Sequence, residues 1–363
     1  MNEITCDDIG PARIIHLYSA RDRLRAVLVV DNTALGPAVG GVRVSPGVTA
    51  AEVGRLARTM TLKNSLAGLP HGGAKAGIMA DPAVIDKERA FRVFARMIRD
   101  FADYIPGPDM GCDETAMAWI HDETGRAVGL PEEIGGLPLD KLGATGFGLA
   151  ECAEIAAPRA GIGLNGARVA IQGFGSVGKA AARFLHAKGA ILVAVSDSRG
   201  GVHDAGGIDV ESLEAAKDEA GSVVAYGKGR RITAEELFGV PCDILIPAAT
   251  PDVIHRGNVG TVTAPLILQG ANIPVTAEAE EALHRRGVIV VPDFIANAGG
   301  VIMAAVEYAG RSEQEAFNAI GERIRKNTHL ILEKADADKC PPRAAAVALA
   351  LERVRRAMAY RDH

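Results

Sequence analysis

One stretch constrains the fold more than any other: Val169-Ala-Ile-Gln-Gly-Phe-Gly-Ser-Val-Gly178. It reads as an apolar strand, a glycine turn of the form GxGxxG, and the start of a helix over 176–188. Gly173 permits the tight turn, Gly175 lets backbone approach a pyrophosphate, and Gly178 lets helix and strand pack closely. The free N–H groups and positive dipole end of the helix favour phosphate, so Phe174, Ser176 and Val177 join the glycines as candidate cofactor contacts. A lone GxGxxG is weak. Here the next apolar strand, 191–196, ends in Asp197, about 20 residues on, where an acid takes the ribose hydroxyls. The same glycines also begin a P-loop, GxxxxGK, but the next residue must then be Ser or Thr, and it is Ala180. Asp197 favours NAD over NADP, and Arg199, two residues on, could offset it.

The rest of the chain fits around this unit. At ~150 residues per domain, 363 residues make about two. From 143 onward, apolar strands (168–172, 191–196, 243–246, 266–268, 288–291) alternate with helices, as in a parallel sheet buried on both faces. Helices are expected over 147–157, 313–335 and 344–359. The N-terminal part differs: strands at 13–18, 25–31 and 38–44 are joined by turns too short for crossover helices and look antiparallel. A helix follows over 49–63, where Thr49 and Glu52 form a capping box. A glycine-rich segment, 68–77, then precedes helices over 87–100 and 114–124, with a rigid turn at 106–111 between them. The boundary is expected in the Gly/Pro-rich stretch 130–143. It separates a substrate domain, 1–135, from a dinucleotide-binding domain, 136–340.

Composition excludes several classes. With 40 Lys and Arg against 45 Asp and Glu, the net charge is -5. There is no basic stripe, so a nucleic-acid partner is not expected. No apolar run approaches the ~20 residues of a membrane span, and the N-terminus lacks a signal-peptide pattern. Five widely spaced cysteines without CxxC read as reduced thiols of a cytoplasmic protein. No metal motif is present, and none is expected to bind.

Two lysines and one aspartate have unusual settings. Lys63 ends the 49–63 helix, Lys75 lies within Gly72-Gly-Ala-Lys-Ala-Gly77, and Asp109 sits on the stiff Gly107-Pro-Asp-Met-Gly111 turn. Two lysines close together, or buried, would have depressed pKa values and could serve as general bases. Spacing alone leaves ordinary helix-end and loop charges as the alternative. His71 reads as an incidental loop histidine, Trp119 as core, and His203 and His255 as exposed loop residues. Cys112 has no evident base to make it a nucleophile.

At these residues the sequence resembles the Glu/Leu/Phe/Val amino-acid dehydrogenase family. The matching segments are Gly36-Pro-Ala-Val-Gly-Gly-Val-Arg43, Met60-Thr-Leu-Lys63, Gly72-Gly-Ala-Lys75, Gly107-Pro-Asp-Met-Gly111, Ala144-Thr-Gly146, Gln172-Gly-Phe-Gly-Ser-Val-Gly178 and Pro292-Asp-Phe-Ile-Ala-Asn-Ala-Gly-Gly300. The resemblance implies reversible NAD(P)-dependent deamination of an L-amino acid to its 2-oxo acid and ammonia. It also implies an α/β fold, with an N-terminal substrate domain, a C-terminal Rossmann-type domain and the active site in the cleft. The last helix, 341–363, would return toward the first domain, and the protein would be a homo-oligomer.

Carried over by position, Lys63 would hold the substrate α-carboxylate, with the Gly41 backbone beside it. Lys75 would activate water and polarise the 2-oxo group. Asp109 would move protons to and from the amino group. Thr145, Asn272 and Asn297 would lie by the nicotinamide and the substrate amino group. The chain departs from the family at Leu139-Asp-Lys-Leu-Gly143, where many members carry a GGSxGR-like stretch.

Glutamate-specific members place a lysine and a serine at the positions of Val39 and Ala304, to hold the γ-carboxylate. A carboxylate there would lose its charge partner, at several kcal/mol. The expected side-chain pocket is Val39, Gly107, Val301 and Ala304, suited to branched, long or aromatic apolar substrates. Glutamate oxidation is the alternative substrate. A non-catalytic sensor of dinucleotide and amino acid is the alternative of another class.

Overall fold

The computed structural model describes residues 4–361. It divides into two compact units. The first holds the chain up to Leu139, together with Val301–Ala316 and the chain from Val347 onward. The second holds Asp140–Gly300 and Phe317–Ala346. The stretch expected as one domain, 136–340, is therefore split, and 301–316 groups with the first unit.

The first unit is built on five strands: β1 (Arg13–Ser19), β2 (Leu24–Asn32), β3 (Ala38–Val44), β4 (Gly72–Ile78) and β5 (Tyr104–Pro108), in the order β1-β2-β4-β3-β5. The expected strands β1 and β2 pair antiparallel. β3 does not continue that meander: it lies parallel to β4 on one side and to β5 on the other. The glycine-rich segment and part of the expected rigid turn are thus strands. Glycine in β4 reads as a turn in sequence, but here it permits close approach of backbone. A Cβ on Gly73 would lie 2.1 Å from the Thr61 backbone nitrogen, in helix α1 (Ala50–Leu66), and one on Gly72 would lie 1.8 Å from the Asn32 carbonyl.

Successive side chains of a strand face opposite ways, and the two faces carry different partners. Leu24, Ala26, Leu28 and Val30 of β2, with Ala74, Ala76 and Ile78 of β4, pack against α2 (Lys87–Ile98) and α3 (Glu114–Thr124). Val27 and Val29 pack with Val53 and Ala57 of α1 on the other face. Lys75 alternates with Ala74 and Ala76, and so belongs to the α1 face. Thr49 caps α1 by accepting from the Glu52 N–H at 3.2 Å. The Glu52 carboxylate, expected to complete a capping box, instead takes Arg43. Trp119 is half-buried at the core margin, against Phe91.

The second unit carries β6 (Arg168–Gln172), β7 (Ile191–Asp197), β8 (Gly200–His203), β9 (Arg230–Ile232), β10 (Ile244–Pro247), β11 (Leu266–Leu268) and β12 (Ile289–Val291). Their order is β12-β11-β10-β6-β7-β8-β9. The five strands from β12 to β7 are parallel, as the alternation of strands and helices implied. β8 and β9 extend the sheet antiparallel and were not foreseen. His203 accordingly lies in a strand, half-buried, rather than on an exposed loop. After the short α4 (Leu139–Leu142), helices α5 (Ala144–Arg159), α6 (Ser176–Ala187), α7 (Val210–Ala220), α8 (Ala277–Arg285) and α9 (Asp293–Ala296) follow in chain order. The last helices are α10 (Gly299–Tyr308), α11 (Glu313–Asp338) and α12 (Pro342–Met358). Residues 347–358 of α12 belong to the first unit, where the Ser65 hydroxyl donates to the Ala350 carbonyl at 2.9 Å.

Candidate functional site

Register assembles the charged set of the first unit. β3 pairs with β5 so that Val39 faces Ile105 and Gly41 faces Gly107. It pairs with β4 so that Val39 faces Gly73. Period-two alternation then puts Val39, Gly41 and Arg43, with Lys75, and with Ile105 and Gly107, on one face of three adjacent strands. Asp109 follows directly after β5. Its carboxylate takes Lys75 Nζ at 3.0 Å and Arg43 Nε at 2.9 Å, and Arg43 Nη1 reaches Glu52 at 2.6 Å. The Lys75 and Asp109 side chains are only 9% and 16% exposed. Burial pushes the Asp109 carboxyl up, but Lys75 and Arg43 outweigh it and hold the group below its ordinary value. Asp109 is therefore an anion at neutral pH.

Gly41 is what lets these groups converge. A Cβ there would lie 2.8 Å from the Asp109 Cβ and 3.1 Å from Lys75 Nζ. The missing methyl is what allows the amine and the carboxylate to lie this close to the β3 backbone. Lys63, buried in the last turn of α1, comes from the helix on this same face.

Two residues here were missed from sequence. Arg43 was only the end of a motif, yet it is one of the two cations on Asp109. Cys112 was set aside because it has no base, and its observed contacts are structural. Its thiol donates to the Val42 carbonyl at 2.9 Å and accepts from the Asp109 N–H at 3.2 Å, which ties the turn carrying Asp109 to β3. Burial pushes this thiol up to about 12, so it stays protonated and inert.

Next to the charged set lies an apolar cluster. Val39, Ile105, Val128 and Ala304 are buried together, with Leu139 against them. Of the four expected pocket residues, Val39 and Ala304 meet. Gly107 adjoins them, since a Cβ there would touch Val128 at 3.1 Å. Val301, half-buried in α10, is not part of the cluster. Ile105, Val128 and Leu139 carried no signal in sequence beyond being apolar. His71 is buried, with Nδ1 3.2 Å from the Pro37 carbonyl and its ring edge-on to Tyr308, as befits a structural histidine.

The second unit holds the dinucleotide features. Gly173 has φ +95°, and a Cβ on Gly178 would lie 1.9 Å from the Gly173 carbonyl, so both positions require glycine. A Cβ on Gly175 would meet nothing within 4 Å. The open space is over the start of α6, where Gly175 and Ser176 are exposed, no side chain caps the helix and its first turn carries no acid. Uncapped N–H groups with open space above them fit a pyrophosphate. The Phe174 side chain is buried in the core, so at that position only backbone can contribute. Val177 is half-buried in the first turn.

Asn297 Nδ2 donates to Asn272 Oδ1 at 3.0 Å, which brings these two expected residues together. Thr145 lies in the first turn of α5, against Gly300. Asp197 ends β7 as expected, but its carboxylate is already engaged within the unit. Among the described residues, no group of His, Cys, Asp and Glu is arranged to hold a metal, and no helix is long and apolar enough to cross a membrane.

A buried lysine–aspartate pair and an uncapped helix start after a GxGxxG turn in one chain are the features expected of a pyridine-nucleotide-dependent dehydrogenase. Comparison with known proteins sharpens this. Residues 135–362 match the Glutamate/Leucine/Phenylalanine/Valine dehydrogenase family, and residues 17–126 match the Glu/Leu/Phe/Val dehydrogenase dimerisation domain. A glutamate dehydrogenase of Aeropyrum pernix is 40% identical over 91% of this chain and 85% of its own length. An NADP-specific glutamate dehydrogenase of Saccharolobus shibatae is 42% identical over 91% and 83%.

Among solved structures, the Leu-bound hetero-hexameric glutamate dehydrogenase of Thermus thermophilus superposes with a TM-score of 0.87. It is 32% identical and covers 97% of this chain and 90% of that one. The L-tryptophan dehydrogenase of Nostoc punctiforme superposes at 0.75, with 25% identity, 96% of this chain and 97% of that one. The chain belongs to the Glu/Leu/Phe/Val dehydrogenase family and is an NAD(P)-dependent L-amino-acid dehydrogenase acting on CH–NH2 groups.

Proposed function

We propose that this dehydrogenase oxidises an L-amino acid with an apolar side chain, and the observation that carries the reading is the Val39–Ile105–Val128–Ala304 cluster. It adjoins the Lys75–Asp109 pair through Gly107 and contains no charged side chain. A substrate carboxylate placed there would be desolvated without a partner, which costs several kcal/mol. Each buried methylene would add only ~0.8 kcal/mol, so selectivity among apolar substrates is expected to be broad. Glutamate is the second reading, and the names of the two curated relatives favour it over the apolar one.

In either case we assign Asp109, ionised at neutral pH, to exchange protons with the amino group. Lys75, 3.0 Å away, activates water and polarises the 2-oxo oxygen. Lys63 and the Gly41 backbone hold the α-carboxylate and so fix the orientation of the Cα–H, from which much of the rate derives. A bound nicotinamide would supply the hydride acceptor. Thr145, Asn272 and Asn297 are assigned to orient it, and the α6 N-terminus to hold the pyrophosphate. The dimerisation-domain match supports a homo-oligomer. Five cysteines without a disulfide agree with a reducing compartment such as the cytoplasm.

The test is a panel of the twenty L-amino acids with NAD and with NADP at about pH 10, followed by absorbance of the reduced cofactor. Turnover of leucine, methionine or phenylalanine without glutamate supports the apolar reading. Strong turnover of glutamate overturns it in favour of the second.

A further inference from the structure

The acid that ends β7 is the usual reason such a site rejects a 2′-phosphate. It must be free to accept the ribose hydroxyls, and its charge must be unbalanced. Neither holds here. Asp197 Oδ1 accepts from the Arg199 N–H at 2.9 Å and from Ser222 Oγ at 3.1 Å. Asp197 Oδ2 accepts from Lys217 Nζ at 2.6 Å and from the Val223 N–H at 2.8 Å. A carboxylate offers about four acceptor directions, and these four donors fill them. The side chain is 5% exposed and faces into the unit.

The donors come from three places: the turn after β7, the end of α7, and the 3₁₀ turn Val223–Tyr226. The arrangement is therefore built into the fold rather than made by one mobile side chain. Burial raises the Asp197 carboxyl, and the hydrogen bond from Lys217 with those of the two backbone N–H groups more than reverses it.

The surrounding charge points the same way. Lys217 balances Asp197. Two acids of α7 have their own cations, Asp218 with Lys179 and Glu214 with Arg183, while Glu211 and Glu219 of the same helix are exposed and form no ion pair among the described residues. Arg199 is an exposed guanidinium two residues from Asp197, and among the described residues its side chain is held by the Ala220 carbonyl at 3.2 Å. An arginine near this acid is the feature that accommodates a 2′-phosphate.

We propose that this chain binds the 2′-phosphorylated dinucleotide at least as well as the unphosphorylated one, with Lys217 cancelling Asp197 and Arg199 facing the phosphate. This rests on the assignment of dinucleotide binding to the second unit and is independent of the amino-acid substrate.

The test is direct binding of NADH and NADPH to the intact protein by titration calorimetry, without substrate. The expected result is an NADPH dissociation constant equal to or below that for NADH. Lys217→Ala leaves Asp197 unbalanced and is expected to weaken NADPH at least tenfold relative to NADH, while Lys217→Arg restores the wild-type ratio. Should Lys217→Ala fail to fold, Arg199→Ala, at an exposed position, is expected to weaken NADPH several-fold and leave NADH unchanged. NADH binding tenfold tighter than NADPH in the wild type overturns the proposal, as does a Lys217→Ala protein with an unchanged ratio. Failure of both nucleotides to bind overturns the dinucleotide assignment itself.

Discussion

Gly41→Ala puts the convergence of Lys75 and Asp109 to a quantitative test. The new methyl would start 2.8 Å from the Asp109 Cβ and 2.8 Å from the Pro108 carbonyl oxygen. Carbon atoms pack at ~3.5–4.0 Å, so Asp109 must retreat by at least about 0.7 Å. It is not free to do so without loss, because its carboxylate is fixed at 3.0 Å from Lys75 and 2.9 Å from Arg43. Lys75 Nζ, 3.1 Å from the same methyl, must move as well.

Misplacing reacting groups by 1 Å can cost about 10²-fold in rate. A loss of roughly 10- to 100-fold in kcat is expected, about 1.4–2.7 kcal/mol of barrier. Stability should suffer less. Overpacking costs ~1–3 kcal/mol, and alanine recovers ~0.5–1 kcal/mol over glycine in a strand, so Tm should fall by only several degrees. The assay is steady-state kinetics on the best amino acid of the panel, with a melting curve on the same preparation. A variant within threefold of wild-type kcat and with an unchanged Tm would refute the geometric argument, because the steric conflict would then have been absorbed without moving either group.

Three further outcomes follow from the same geometry. Gly107→Ala adds a methyl whose nearest neighbour is the end of the Val128 side chain at 3.1 Å. It should fold normally and raise KM for phenylalanine at least fivefold while leaving KM for small apolar amino acids within twofold; equal effects on both would remove Gly107 from the pocket. Cys112→Ala loses the Val42 and Asp109 hydrogen bonds, at roughly 1 kcal/mol. It is expected to lower kcat about three- to tenfold and Tm by a few degrees, while Cys112→Ser, which keeps a donor, stays closer to wild type. The pH dependence follows from the lowered Asp109 carboxyl, the net of burial opposed by Lys75 and Arg43. A group depressed in the folded state contributes stability that is present above its unfolded value, near 3.8, and lost as pH falls through the folded value. Denaturant unfolding should show wild type more stable than Asp109→Asn at pH 6, with the gap closing below about pH 4; a constant gap would mean that the Asp109 charge is not what stabilises.

The fold of the second unit was readable because each of its signals is local. Strand, glycine turn and helix lie within 168–187, and the φ of +95° at Gly173 is a requirement of the chain itself. The substrate half was harder for a physical reason. β4 contains three glycines in seven residues, and propensity assigns such a run to a loop. What makes it a strand is non-local: α1 lies so close that only hydrogen fits between Gly73 and Thr61, and β4 is inserted between β2 and β3, which adjoin it in space but not in sequence. The same insertion explains why β3, which runs antiparallel to β2 as expected, does not pair with it. Short turns predict hairpins only when no later strand enters between their arms.

The chemistry was legible as residue types, because a lysine among glycines and alanines is conspicuous. Its geometry was not, because the partners of Asp109 are fixed by register across β4, β3 and β5. The Asp197 environment marks the same limit from the other direction. Spacing located the aspartate at the end of a strand, where β7 does end, but its inward engagement depends on Lys217, Ser222 and Val223, 20–26 residues downstream. A motif can locate a carboxylate; what its oxygens remain free to bind is decided by the elements that pack around it.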